Sequence, residues 1–278
     1  MKFNLETIPN GLLGSPLHIY CELQKVMHHP DTSFQELESI IRIDSSLTAR
    51  LLRVVNSAYY GFKNKVETIT HALSIVGTDQ LMELVVATSI LGKFRGIPNE
   101  LFNMNLFWRH SVAVGLAART IAEIKNEEKP ERYYVAGLLH DLGRLVICLS
   151  VPDQGLRIFE EHSQGSRPMT FYEESHLDCN HAQIGAALFE RWNLPDFLQA
   201  VVIGHHDPFR DKNWEMQTSI VHFADYLAYE MGLGGSGEMH PPELNPKTKK
   251  LLKLDEKSLK KVWEEMNHKL EDTLAAFI

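Results

Sequence analysis

The chain has few of the features that would tie it to a membrane, an oxidising compartment or a nucleic acid. Its 278 residues include only three cysteines, Cys21, Cys148 and Cys179. They are odd in number, far apart and form no C-x-x-C pair, so free thiols in a reducing compartment are expected and a disulfide framework is not. Apolar runs such as Leu84–Ala87 fall far short of the roughly 18 consecutive apolar residues of a membrane span. No membrane association is expected. Met1–Asn10 holds a single lysine and no continuous apolar stretch, so no secretory signal is read there and a cytoplasmic location is expected. Positive charge is short as well: 28 Lys and Arg face 36 Asp and Glu, a net charge of −8. Attraction to a phosphate backbone would need a local basic patch, and nucleic acid is disfavoured as a partner. No long stretch alternates with period two, and there is no internal repeat or low-complexity block.

What remains is a composition near the globular average, with 44% hydrophobic and 23% charged residues, in a chain long enough for one large core or two packed subdomains. The spacing of apolar positions is helical almost throughout. Helices are expected over about 17–28, stopping at His29-Pro30, then after caps at Thr32 or Ser33 and at Asp44. Further helices are expected at about 69–76 and, after the capping pair Thr78-Asp79, at 80–94. Gly96 and Pro98 mark a break. Beyond it lie a long amphipathic segment over 100–125, a helix opened by Pro130 that carries His140 and Asp141, and helices near 154–162, 169–175, 181–192, 196–203 and 216–231. Four glycines within Gly232–Gly237 read as a flexible join, and 251–277 resumes helical spacing. The fold class is therefore all-α: two packed helical subdomains, 1–98 and 99–232, followed by a C-terminal helical cap, 233–278.

Five histidines and two aspartates carry the candidate chemistry: His110, His140-Asp141, His181, His205-His206 and Asp225. Neutral imidazole and carboxylate together suit divalent transition metals, and each group falls on a different expected helix or helix end, as in metal sites built inside helical bundles. Adjacent residues on a helix point about 100° apart, so an aspartate beside a histidine can reach a second ligand position and bridge two metals. Arg144 lies one turn after His140, where a guanidinium could take a phosphate. Two metals together neutralise an in-line phosphoryl displacement. Leu138-Leu139-His140-Asp141 also sets two polar residues directly after an apolar run. Burial of both without partners would cost several kcal/mol.

The run Leu138-Leu139-His140-Asp141-Leu142-Gly143-Arg144 resembles the signature of the HD-domain metal-dependent phosphohydrolase superfamily. Further motifs narrow the resemblance to the HDOD family: Asp44-Ser45-Ser46-Leu47, Arg53 through Gly61 (RVVNSAYYG), Ile69-Thr70-His71-Ala72-Leu73 before Gly77, and His181-Ala182-Gln183-Ile184-Gly185 with Trp192-Asn193-Leu194-Pro195. The similarity runs from about Leu12 to Phe209. It implies an all-helical bacterial signalling protein whose second subdomain is an HD-like bundle. Many HDOD members have lost their metal ligands, whereas His110, His140, Asp141, His181, His205, His206 and Asp225 each stand where the related HD-GYP phosphodiesterases place one. The resemblance thus implies one or two divalent metals, Fe or Mn first and Zn, Ni or Co next, with Asp141 and Arg144 in catalytic roles. Asp207-Pro208-Phe209 follows the double histidine where HD-GYP proteins carry Gly-Tyr-Pro, Leu106 stands at the position of a third-metal carboxylate, and Arg144 replaces a usual lysine. These departures point away from cyclic di-GMP. The expected ligand is another phosphoester or a nucleotide, and a signalling protein partner is expected. The alternative is a non-catalytic regulatory module in which the metal site is structural or sensory.

The other histidines, His18, His28, His29, His71, His162, His176, His222, His240 and His268, read as ordinary surface or core residues. His222 alone is close enough in sequence to Asp225 to support a ligand from behind. Asn56, Ser57, Tyr59 and Tyr60 are expected to end a helix and pack the first subdomain, and Trp108 and Trp192 to fill the seam between the two halves. The lysines of 247–261 are interleaved with glutamate and leucine and read as a solvated helix face.

Overall fold

The computed structural model describes Phe3, Ile8, His18–Met27, His29 and residues 31–94 and 102–277. Leu17, His28, Gly96 and Pro98, on which expectations fell, lie outside the described residues. Among the described residues the architecture is entirely helical, with no strand. They fall into two compact units: Ser15–Arg95 with Asn267–Ile278, and Met1–Gly14 with Gly96–Met266. The expected cap, 233–278, is thereby shared between the two.

The first of these units contains α1 (His18–Met27), α2 (Phe34–Ile41), α3 (Ser45–Val55), α4 (Ile69–Val76) and α5 (Thr78–Leu91). Ser33, Asp44 and Thr68 cap α2, α3 and α4 by accepting backbone N–H bonds through their side-chain oxygens, which satisfies donors that the first helical turn leaves open. The start of α5 differs from expectation. Gly77 occupies the cap position and makes no side-chain bond. Leu81, Leu84, Val85, Val86, Ala87 and Ile90 of α5 are all buried, so this helix is apolar around most of its circumference and forms the centre of the unit. Asn56 ends α3 and ties down the next loop: its amide donates to the Val66 carbonyl and accepts from the Val66 N–H, at 2.8 and 2.7 Å.

The second unit is built on α6 (Met104–Ile124), which packs along α7 (Pro130–Leu139) and α13 (Glu215–Glu230). Around this trio lie α8 (Leu142–Ser150), α9 (Pro152–Gln164), α10 (Met169–Leu177), α11 (His181–Arg191), α12 (Asp196–Gly204), a short 3-10 turn at Lys212–Trp214, and α14 (Pro246–Leu252). The last helix, α15 (Glu256–Phe277), begins in this unit and ends in the other. From Phe107 to Ala122 nearly every residue of α6 is buried, which places His110 in the interior.

One helix breaks where sequence periodicity predicts continuity. α7 ends at Leu139, α8 starts at Leu142, and His140-Asp141 occupies the corner between them. The His140 ring bonds the Gly137 carbonyl through Nδ1 at 2.7 Å, capping the end of α7 by a side chain and turning the chain at the two candidate ligands.

Candidate metal centre

All seven candidate ligands lie in the second unit, and the structure brings them together in two adjoining groups. Asp141, His181, His205 and His206 form one; His110, His140 and Asp225 form the other; within each, the potential ligand atoms lie within 4.8 Å of one another. His181 Nε2 stands 3.0 Å from Asp141 Oδ1, 3.3 Å from His205 Nε2 and 2.9 Å from His206 Nε2. In the second group, His110 Nε2 is 3.0 Å and His140 Nε2 3.7 Å from Asp225 Oδ1. Asp141 faces both. Its Oδ1 points at the first group and its Oδ2 lies 3.3 Å from His140 Nε2.

The outward sides of the rings fix which nitrogen faces inward. His140 Nδ1 donates to the Gly137 carbonyl at 2.7 Å, and His205 Nδ1 to the Val202 carbonyl at 2.6 Å. A carbonyl can only accept, so in the neutral ring the proton is on Nδ1 and the Nε2 lone pair faces the centre. His181 is held by Glu173, whose carboxylate accepts from Nδ1 at 2.7 Å and from the His181 backbone N–H at 2.9 Å. His222 supports from behind: its Nδ1 donates to the His205 carbonyl at 2.7 Å, and its Nε2 accepts from the Asn245 N–H at 3.0 Å.

These inward atoms fit a metal better than they fit one another. His110 Nε2, His140 Nε2, Asp141 Oδ1 and Asp225 Oδ1 are buried and lack a hydrogen bond of acceptable geometry, although carboxylate and imidazole stand close enough for one. Orphaned polar atoms of this kind are rare in protein interiors. The Nε2 atoms of His205 and His206 both stand within 3.3 Å of His181 Nε2, and a cation between them would satisfy all three lone pairs.

Local electrostatics keep Asp141, Asp225, His205 and His206 in the form that binds metal, whereas the carboxylates beside His140 and His181 favour the protonated rings, a proton that a bound ion would displace. Burial opposes ionisation of Asp141, yet Arg144, His140 and His181 hold its carboxyl well below the usual range. Asp225 is likewise opposed by burial but brought down to about 2, chiefly by its contact with His110. Burial, reinforced by neighbouring histidines, lowers His205 to about 4 and His206 well below the usual histidine value. His181 goes the other way, to about 9, because Glu173 outweighs burial.

Two features were not foreseen from the sequence. Glu173 is eight residues from His181 and on another helix, so no local pattern announces the pairing. The glycine-rich segment expected to be a flexible join is instead a pinned strap over the centre. Gly235 N–H bonds the Leu106 carbonyl at 3.1 Å and Met239 N–H bonds His162 Nε2 at 3.0 Å. Gly234 has φ +91°, and an added Cβ would meet the Leu106 carbonyl and the His110 backbone nitrogen. Glycine is needed here for close approach and for a left-handed backbone.

The strap also redefines Arg144. Its Nη1 donates to the Ser236 carbonyl at 2.8 Å and to Ser236 Oγ at 2.7 Å, its Nη2 to Glu238 Oε1 at 2.6 Å, while Nε lies 3.5 Å from Asp141 Oδ1. Burial works against the charge, but Asp141, Glu238 and Glu173 outweigh it and keep the guanidinium protonated. The reach toward a phosphate expected from the sequence is taken up by the chain's own carboxylate. Arg144 braces Asp141 and anchors the strap.

Comparison with known proteins places these residues in a family. An uncharacterized protein of Treponema pallidum (strain Nichols) is 28% identical over 206 residues, which are 73% of this chain and 40% of that protein; the chain thus spans about two fifths of the length of this relative. A crystal structure of an HDOD domain protein of unknown function from Geobacter sulfurreducens superposes with a TM-score of 0.76 at 25% identity, covering 99% of this chain and 93% of the other. A phosphohydrolase candidate from Shewanella amazonensis SB2B has the same fold, with a TM-score of 0.76, 21% identity and coverage of 97% and 98%. Residues 13–208 match the HDOD domain family model, and the chain belongs to the HDOD family.

Proposed function

We propose that this HDOD protein is a bacterial signalling protein with a two-metal centre that hydrolyses a phosphoester or nucleotide. The observation that carries the reading is Asp141, buried between two histidine groups with one carboxylate oxygen toward each. Asp141, His181, His205 and His206 would hold one ion and His110, His140 and Asp225 the other, and Asp141 Oδ2, 3.3 Å from His140 Nε2, would also serve the second. Iron or manganese suits this mixed imidazole and carboxylate set, with zinc, nickel or cobalt as weaker candidates. Bound metals would supply charge neutralisation and water activation for displacement at phosphorus. The chain's own part is preorganisation: Gly137, Val202 and Glu173 orient three imidazoles, and Arg144 fixes Asp141.

Metal analysis of anaerobically purified protein, with a phosphodiesterase and nucleotidase screen of wild type, His140→Ala and Asp141→Ala, tests this reading. The expected outcome is bound Fe or Mn in the wild type and a hydrolytic activity that Asp141→Ala abolishes. Wild-type protein without metal contradicts it. Bound metal without hydrolysis of any phosphoester replaces the enzyme with the regulatory module.

A further inference from the structure

Beside the centre lies a pocket of about 350 Å³ whose lining includes Thr170, His206, His222, Glu238, Glu243 and Asn245. It shares His206 with the first ligand group and Glu238 with the strap, so a ligand in it adjoins the metal-holding atoms. The volume is at the small end for ligand pockets. Two carboxylates line it, and among the described residues no lysine or arginine does. The cation bound to the lining residue Glu238 is Arg144, which is buried, with its Nη atoms engaged by Ser236 and Glu238 and Nη2 3.5 Å from His181 Nε2.

These facts constrain the charge of an acceptable ligand. One phosphate group can be met by metals in the two ligand groups. A second would lie in the pocket, where recognition of a further phosphate ordinarily needs a lysine, an arginine or open backbone donors. It would instead face Glu243 and Glu238. We infer that Glu238 is a specificity-determining residue: by occupying Arg144 it denies this cation to the ligand and restricts the pocket to compounds bearing a single phosphate group. The inference rests on the phosphoester reading and deepens it by naming a substrate class, small phosphomonoesters rather than diphosphates or dinucleotides. Glu238→Gln keeps the shape of the side chain, removes one carboxylate charge from the pocket and turns the Nη2 ion pair into a neutral amide contact that a ligand phosphate can displace, while Arg144 keeps Asp141 at 3.5 Å.

Adenosine monophosphate and diphosphate, probes that differ by one phosphate, test it by equilibrium binding to Mn(II)-loaded wild type and Glu238→Gln, with metal content read on the same samples after titration. Wild type is expected to bind the diphosphate no more than about 3-fold tighter than the monophosphate, and the variant at least about 10-fold tighter, the gain of one charge-assisted contact. Glu238→Gln/Arg144→Gln is expected to lose that gain. A wild-type preference for the diphosphate of 10-fold or more overturns the inference whether or not the variant folds. So does an unchanged ratio in a Glu238→Gln protein with wild-type circular dichroism, and so does a protein that binds neither nucleotide in either form. Metal-loaded protein with an unmoved ratio removes the role of Glu238 alone, whereas wild type that takes up no metal removes the two-metal reading.

Discussion

At His140 and Asp141 the sequence shows two polar side chains after an apolar run, and the physical cost of burying them unpaired is what makes the pair conspicuous. The partners that relieve this cost come from far along the chain: Asp225 lies on α13 and His181 opens α11. Residue types and the family resemblance were enough to name the seven candidate ligands that the structure gathers, because imidazoles and carboxylates are rare inside an otherwise apolar bundle. Glu173 was not legible. Its role depends on two bonds to one residue of another helix, and acidic side chains near helices are usually solvated. The pairing predicts a specific deficit. Both donors of His181 meet Glu173 Oε2, and Oε1 lies 3.0 Å from Nδ1; Glu173→Gln removes the negative charge and puts an amide NH2 beside one of these contacts, so metal affinity should fall about 10–100-fold, the usual effect of removing an outer partner of a metal-bound histidine. Competition of Mn(II) against a chelator measures it, and the loss should be confined to the ion held by His181. Equal affinity in wild type and variant would leave Glu173 as a packing residue only.

At the scale of elements, most helices were legible from apolar spacing and caps, since Ser33 and Asp44 cap where hydrogen-bonding side chains precede periodic segments. The corner at His140-Asp141 was hidden because a histidine ring, not a proline or glycine, ends α7 there. The strap was hidden for the opposite reason. Four glycines suggest flexibility in isolation, yet Gly234 is required by the tight passage against α6, and backbone bonds to Leu106 and His162 hold the segment. Gly143 shows how closely the site elements approach. A Cβ added there would collide with the His181 carbonyl, so α8 can seat against the first turn of α11 only with glycine at this position. Gly143→Ala should destabilise the protein by about 1–3 kcal/mol, as overpacked cores do, and should weaken metal binding by displacing His181. Urea denaturation of the metal-free protein reads the first effect and Mn(II) titration the second. A variant as stable as wild type with full metal affinity would show that α8 and α11 are free to separate.

For the whole molecule, the sequence indicates two helical subdomains but not how the C-terminal residues divide. The division of α15 between the two units depends on tertiary packing that its lysine- and glutamate-rich surface pattern does not encode. The candidate metal centre belongs to one unit: every candidate ligand, Glu173 and the strap lie within Gly96–Met266. No described helix is long and apolar enough to cross a membrane. Ion binding to this unit should stabilise the folded state by about 2.7 kcal/mol at a hundred times the dissociation constant. The most direct test of the two-metal centre is the stoichiometry of Mn(II) bound to metal-free protein, measured by titration in wild type, His110→Ala and Asp141→Ala. Two equivalents in wild type, one in His110→Ala and none held tightly in Asp141→Ala is the predicted series, because Asp141 alone serves both groups. Wild type that binds no ion, or Asp141→Ala that binds as many as wild type, would contradict it.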